Sequence, residues 1–282
     1  KQKSGYDIYL HPIVFFKVIL RLFSAPFFRL DSILLPGELG FEKKLNTLIS
    51  RFKNKELIDK REYFDFDHFK LFIPNFEDAE KVIINDLREV YLDNVYAKHF
   101  LMGKPINEGD TVLDLGANIG GFSLWACSQS DNVTSYAVEP HPEIRKALEE
   151  NIKLNGLEGN IFPVSNCISS TNSTLKMSFD KKIFTMTKIS ETEGDLEVEA
   201  LTIDSLIERH NIKKVDLIKL DIEGAERVAL EGATTTLKHF KPKLALSGYH
   251  LVDDVYYLVN QLLDIQPEYK IVVGSNMHIY AF

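Results

Sequence analysis

Val112-Leu113-Asp114-Leu115-Gly116-Ala117-Asn118-Ile119-Gly120-Gly121-Phe122 is an apolar run that passes through an acid into a glycine-rich turn and then into helix-forming residues. Glycine has no Cβ and reaches positive φ, so such a turn brings backbone N–H groups close to a ligand. Asn118 stands where many nucleotide folds carry a glycine, and asparagine tolerates the left-handed region better than most residues. Gly116 and Gly120 are four apart, so the G-x-G-x-x-G spacing of dinucleotide binders is not met. The turn residues Gly116, Ala117, Asn118 and Gly120 are therefore candidate ligand contacts. Asp114, two residues before the first glycine, is a candidate to accept hydrogen bonds from the turn or, through water, from the ammonium of a bound amino acid.

Outward from this turn, short apolar runs alternate with amphipathic stretches, the pattern of a mostly parallel sheet covered by helices. Strands are predicted over 111–115, 135–139, 161–164, 215–220, 244–247, 269–273 and 278–282. The last two are joined through Gly274, Ser275 and Asn276, good turn formers, so they should pair as an antiparallel hairpin. Most dinucleotide-binding sheets lack that feature. Glu139 ends the second strand, 25 residues after Asp114. An acid at this strand end points into the crevice of a doubly wound sheet and can take both hydroxyls of a ribose, whichever nucleotide carries it. Asn166 follows the third strand, where an amide can meet an adenine.

At 282 residues and 45% hydrophobic, the chain can hold one α/β domain of roughly 150–200 residues and an accessory part. The expected division is an accessory helical and β region over 1–100 and the main domain over 101–282. A net charge of −8 provides no field for a phosphate backbone, so no nucleic-acid partner is expected. Cys127 and Cys167 make no disulfide framework or zinc spacing, which fits a cytoplasmic protein. Over 12–35 the chain is apolar but interrupted by Lys17, Arg21, Arg29 and Pro26, too short and too charged to span a bilayer. It reads as an amphipathic helix, either packed on the main domain or in peripheral contact with a membrane. Residues 38–61 read as a second helix, 63–73 as extended chain, and 77–100 as a third helix. The Thr- and Ser-rich segments over 169–201 suggest a small β excursion at the sheet's edge.

The fourth strand runs Asp216-Leu217-Ile218-Lys219-Leu220-Asp221-Ile222-Glu223-Gly224-Ala225-Glu226. With the Asp114 to Gly121 turn, Glu139-Pro140, Leu201-Thr202-Ile203-Asp204 and Tyr249-His250, this resembles the FkbM family of class I methyltransferases, over residues 109–282. The resemblance implies an α/β, Rossmann-like seven-stranded sheet with an antiparallel last strand; the mostly helical N-terminal extension rests on the sequence pattern alone. It also implies S-adenosylmethionine as cofactor and O-methylation of a sugar, glycan, lipid-linked or polyketide-like acceptor.

Methyl transfer is an in-line displacement, so alignment of the acceptor oxygen should supply most of the rate, with a general base adding roughly 10²–10⁴-fold. Asp221, at the end of the central strand, is expected to face the methyl and to orient the acceptor or bind the cofactor's amino group. Glu223 and Glu226 read as acids in the first turn of the next helix, favoured there by the helix dipole. His250 is the preferred base, since an imidazole of ordinary pKa, ~6.5, accepts a proton at neutral pH. Asp221 and Glu223 offer hard oxygen ligands to a divalent metal, but two carboxylates on one turn are a thin basis, so no metal ligand is assigned and a metal stays open. The region before residue 100 and the 169–201 insertion should wall the acceptor pocket. A nicotinamide-dependent oxidoreductase would need the missing glycine spacing, and a nucleic-acid methyltransferase acting on amino groups would need a Pro-Pro-aromatic segment after the fourth strand. A catalytically silent binding module on the same fold stays open.

Overall fold

The computed structural model describes residues 8–10, 55–58, 61–66, 69–74, 87, 90, 96, 105–179, 187–190, 194, 196–274 and 277–282. The N-terminal part contributes β1 (Ile8–Leu10), β2 (Lys55–Ile58), β3 (Arg61–Phe66) and β4 (Phe69–Phe72). The main domain opens with β5 (Thr111–Leu115), α1 (Gly121–Gln129), β6 (Thr134–Val138), α2 (Pro142–Leu154) and β7 (Ile161–Val164). There follow β8 (Cys167–Ile168), β9 (Ser173–Phe179), β10 (Thr187–Ser190), β11 (Leu196–Leu201), α3 (Ile203–Arg209) and β12 (Leu217–Leu220). The chain closes through α4 (Glu226–Glu231), α5 (Thr234–Phe240), β13 (Lys243–Ser247), α6 (Asp254–Ile265), β14 (Ile271–Val273) and β15 (His278–Ala281).

The main sheet has the order β14-β15-β13-β12-β5-β6-β7, and β1 extends the β14 edge as an eighth, parallel strand. The five strands from β13 to β7 run parallel, and β15 is antiparallel to both its neighbours. All seven strands predicted for this sheet are present, with ends shifted by at most two residues. Strands β5, β12 and β13 are almost wholly buried, as expected of parallel strands covered on both faces. The register sets Asp114 directly beside Lys219, and the carboxyl ends of β5 and β12 finish together at Leu115 and Leu220.

Helix α2 begins sharply. The His141 side chain accepts from the N–H groups of Glu143 and Ile144, and Pro142 occupies the first helical position, where no N–H is needed. Its inner face, Ile144, Ala147, Leu148 and Ile152, shares one core with Phe69, Leu71 and Leu87. Asn151 on the same helix and Asn155 at its C-terminal cap bond the backbone of Phe72 and Lys70, which fixes β4 to the main domain. The small sheet β2-β3-β4 therefore continues the domain's packing without a break.

The 169–201 segment forms most of a four-stranded sheet ordered β10-β9-β11-β8, the expected β excursion. The helix expected over 38–61 is corrected at its end. Lys55–Ile58 is a strand paired antiparallel with 61–64, because pairing within a sheet outweighs a helical charge pattern. The amphipathic segment 12–35 lies outside the described residues, as does most of 77–100, where Leu87, Val90 and Tyr96 are described and buried. Among the described residues no helix is long and apolar enough to cross a membrane.

Candidate active site

The glycine turn is held in place from two sides. Gly116 and Ala117 donate their N–H groups to the Val138 carbonyl at 3.1 and 2.9 Å, joining the end of β5 to the end of β6. Gly116 has φ 80°, and a Cβ there would stand 1.9 Å from the carbonyl oxygen of Asp221. No other residue type fits that approach of two strand ends. Asn118 takes φ 50° as the sequence suggested, and Gly120 at φ 96° caps α1.

Glu139 follows β6 directly and lies in the cleft that the turn borders. One carboxylate oxygen accepts the Asn118 N–H at 3.0 Å and the other the His141 N–H at 2.9 Å. Burial pushes this carboxyl up to about 7, against the pull of those two donors and of the Lys219 and Arg145 charges.

Asp114 sits beneath the turn rather than in the cleft. It is fully buried, accepts the Ser123 hydroxyl at 2.7 Å and pairs with Lys219 at 3.1 Å. Lys219 also donates to the Gly116 carbonyl at 2.6 Å. The role expected of Asp114 toward the turn thus runs through a lysine, which the sequence reading quoted but did not single out. The signal was present, since a charged residue in the middle of an otherwise apolar central strand must find a partner there.

Asp221 follows β12 at the other end of the cleft. Tyr249 donates to its two oxygens at 3.3 and 3.4 Å and Tyr96 reaches Oδ2 at 3.5 Å. Burial alone would raise its pKa, but the positive charges of Lys219, His250 and His278 outweigh it and hold the carboxyl below its ordinary value. His250 lies inside a nest of acids. Its Nδ1 is 3.0 Å from Glu226, and its Nε2 is 3.5 Å from Asp221 and 3.6 Å from Glu223.

Two expectations about this cluster are corrected. Desolvation would lower the His250 pKa, yet the bond to Glu226 and the charges of Asp221 and Glu223 raise it to about 9. The imidazole is then protonated at neutral pH and has no lone pair for a proton, so the premise of an ordinary pKa does not hold. Glu223 is not in the helix. It occupies the turn before it at φ 55°, and α4 starts only at Glu226, because Gly224 at φ 99° breaks the helical path. Burial, with the Asp221 and Glu226 charges, keeps the Glu223 carboxyl above its ordinary pKa.

The cleft between these ends has a volume of about 290 Å³. Gly116, Ala117, Asn118, Glu139, Asn166, Asp221, Glu223 and His250 all line it. Gly120 and Asp114 stand behind that wall, among the residues that shape it. Asn166 commits its amide nitrogen to the carbonyl and carboxylate of Glu199, leaving Oδ1 as the atom able to accept from an adenine amine. From the N-terminal region Leu87, Val90 and Tyr96 contribute to the lining, whereas no described residue of 169–201 does. The insertion's expected place in the acceptor wall is therefore not found among the described residues. Tyr96 carried no signal in the sequence, since nothing local ties it to Asp221, 125 residues away.

This strand order, with its antiparallel last strand and a cleft at the carboxyl ends of β5, β6 and β12, is the fold of S-adenosylmethionine-dependent methyltransferases. The family model "Methyltransferase FkbM domain" matches residues 114–269, and the chain belongs to that family. It is similar to the hexuronic acid methyltransferase AglP of Haloferax volcanii, 29% identical over 138 residues, covering 49% of this chain and 56% of that protein. It is also similar to the 31-O-demethyl-FK506 methyltransferase FkbM of Streptomyces tacrolimicus, 26% identical over 178 residues, covering 51% and 66%. A crystal structure of methyltransferase FkbM from Methylobacillus flagellatus KT superposes with a TM-score of 0.53 at 18% identity, covering 87% of this chain and 60% of that one. The chain thus spans between half and two thirds of the length of these relatives.

S-adenosylmethionine is the cofactor of this fold, and the residues present fit it. Glu139 offers buried carboxylate oxygens to a ribose, Asn166 an amide oxygen to an adenine, and the Gly116 to Gly120 turn a closely approachable backbone at Gly116 beside Asp221.

Proposed function

We propose that the chain methylates a hydroxyl oxygen of a sugar, glycan or polyketide-like acceptor. The observation that carries this reading is Asp221, an ionised carboxylate in the same cleft as Glu139 and the glycine turn, with two tyrosine hydroxyls directed at it. The bound cofactor supplies an electrophilic methyl carbon, so the protein has no need to activate the donor further. Its task is to hold an acceptor oxygen in line and to manage one proton. Asp221 accepts a hydrogen bond from the acceptor hydroxyl, which aims an oxygen lone pair along the cleft and offers the proton a destination as the C–O bond forms. Tyr96 and Tyr249 hold that carboxylate in position, and His250 flanks it at 3.5 Å.

The names of two relatives support a hydroxyl-bearing acceptor, one naming a hexuronic acid and the other 31-O-demethyl-FK506. The N-terminal region, through Leu87, Val90 and Tyr96, supports a wall on the acceptor side. In this reading residues 1–100 act as an accessory part that closes the site, and 101–282 hold the cofactor.

The test combines calorimetry with S-adenosylhomocysteine and a transfer assay using methyl-labelled donor against free hexuronic acids, oligosaccharides and macrolide alcohols. Label should move to an acceptor oxygen in at least one class. Heat of binding without transfer to any hydroxyl, or transfer to nitrogen, would overturn the O-methylation reading. No binding heat at all would favour the silent binding module.

A further inference from the structure

Glu226 is the first residue of α4, and its side chain is completely buried. Oε1 accepts the Ile222 N–H at 2.9 Å and faces His250 Nδ1 at 3.0 Å, whereas Oε2 is sealed from solvent with no hydrogen-bond partner. A buried carboxyl oxygen without a partner is unfavourable unless a positive group or a donor reaches it. Glu226 does not stand alone. One oxygen each from Asp221 and Glu226 and one nitrogen of His250 lie within 4.8 Å of one another.

That spacing brings the three atoms within reach of one six-coordinate ion after a small inward shift of the side chains. With ligand distances of about 2.1 Å, adjacent ligand atoms are about 3 Å apart and opposite ones about 4 Å apart. Nδ1 of His250 is 3.0 Å from Glu226 and Nε2 is 3.5 Å from Asp221, so the ring lies between the two carboxylates and offers an ion one of its two nitrogens. Charge points the same way. Asp221, Glu223 and Glu226 surround one imidazole, and a divalent cation bound there would displace the imidazolium proton and free a ring nitrogen to coordinate, while the nearby Lys219 ammonium is paired with Asp114. Two carboxylates and an imidazole make a mixed oxygen and nitrogen donor set. Mg²⁺ and Ca²⁺ favour oxygen throughout, whereas Mn²⁺ accepts both donor types.

We propose that Asp221, Glu226 and His250 form a binding site for a divalent cation of the Mn²⁺ type at the acceptor end of the cleft. The sequence offered only Asp221 and Glu223 as metal ligands. Helix α4 adds Glu226, and the loop after β13 adds His250. With three protein ligands, such an ion keeps positions open to an acceptor oxygen. Cation binding itself does not depend on the acceptor being a hydroxyl.

The test titrates Mn²⁺ alone into the chelator-treated, dialysed full chain and follows the electron paramagnetic resonance signal of the free hydrated ion. About one ion per chain should disappear from that signal, and Glu226→Gln and His250→Ala should each weaken binding by at least ~10-fold. Glu139→Gln should lose S-adenosylhomocysteine and keep Mn²⁺, which separates this site from the cofactor's. Because Glu226→Gln can disturb α4, the wild-type protein supplies a second readout. Bound Mn²⁺ should broaden the proton resonances of His250 before those of the other seven histidines. An undiminished free-ion signal, or broadening centred on another histidine, overturns the proposal. If S-adenosylhomocysteine still binds in that case, the methyltransferase reading stands and the metal reading alone falls.

Discussion

Lys219 and Asp114 meet inside the sheet, 3.1 Å apart, on adjacent strands whose register sets them side by side. The lysine is 5% exposed and the aspartate 0%, so neither charge is shared with solvent. From there the lysine reaches up to the Gly116 carbonyl, so the glycine turn rests on a buried ion pair. Two charges taken out of water repay that cost only when both partners are present.

Lys219→Met should therefore destabilise the protein by about 3–5 kcal/mol, because Asp114 is left buried and unpaired. Adding Asp114→Asn to it should restore part of the loss, as in any strongly coupled pair. Urea unfolding of the two single variants and the double variant measures this, and losses that simply add would mean the pair is not coupled.

Gly116→Ala places a methyl group 1.9 Å from the Asp221 carbonyl on a backbone at φ 80°. The left-handed conformation alone costs ~1–2 kcal/mol for a residue with a Cβ, and relief of the clash must push β5 and β12 apart at their ends. Thermal melting should fall, and S-adenosylhomocysteine affinity should drop with it. Gly109→Ala is the control, having a similar φ of 71° and open space for its Cβ, and should lower stability without touching cofactor affinity.

The parts of the fold that were legible in the sequence are those governed by local pattern. Apolar runs closed by glycine, proline or an acid identified the seven strands, and Gly274 marked the hairpin that makes the last one antiparallel. The cofactor end of the site was legible for the same reason, because Asn118, Glu139 and Asn166 each follow directly from a strand end. The acceptor end was not. Tyr96 comes from a distant segment, Glu226 looked like an ordinary helix-start acid, and the raised pKa of His250 exists only because three separate carboxylates converge on it. Segment 55–58 misled because its charges suit a helix, while its pairing partners lie in the next strand.

Asp221→Asn keeps the size of the side chain and removes the charge that accepts the acceptor's hydrogen bond. Turnover should fall by roughly 10²–10⁴-fold, the usual contribution of a positioned proton acceptor, while S-adenosylhomocysteine affinity changes by much less. Steady-state rates and calorimetry on the same preparation decide this. A variant that lost cofactor affinity and kept its turnover at saturation would make Asp221 a cofactor ligand instead.

Glu139 links cofactor binding to pH. Its carboxyl is raised from 4.5 to about 7 by burial, so between those values the folded protein holds a proton that the unfolded chain has released. Stability is thus highest below pH 4.5 as far as this group is concerned, and it falls as pH rises toward 7, by about 3 kcal/mol in all. Cofactor binding has the opposite sign. Ribose hydroxyls donate to the ionised carboxylate, which must lose its proton first, so affinity should climb by up to about tenfold per pH unit approaching pH 7 and level off above it. In Glu139→Gln both slopes should flatten and affinity should be low throughout. Calorimetry with S-adenosylhomocysteine between pH 5.5 and 8.5, run in buffers of different ionisation enthalpy, also reads the proton release directly. Wild-type affinity that stays level across that interval would mean Glu139 is already ionised in the free protein, and that the Asn118 and His141 donors outweigh its burial.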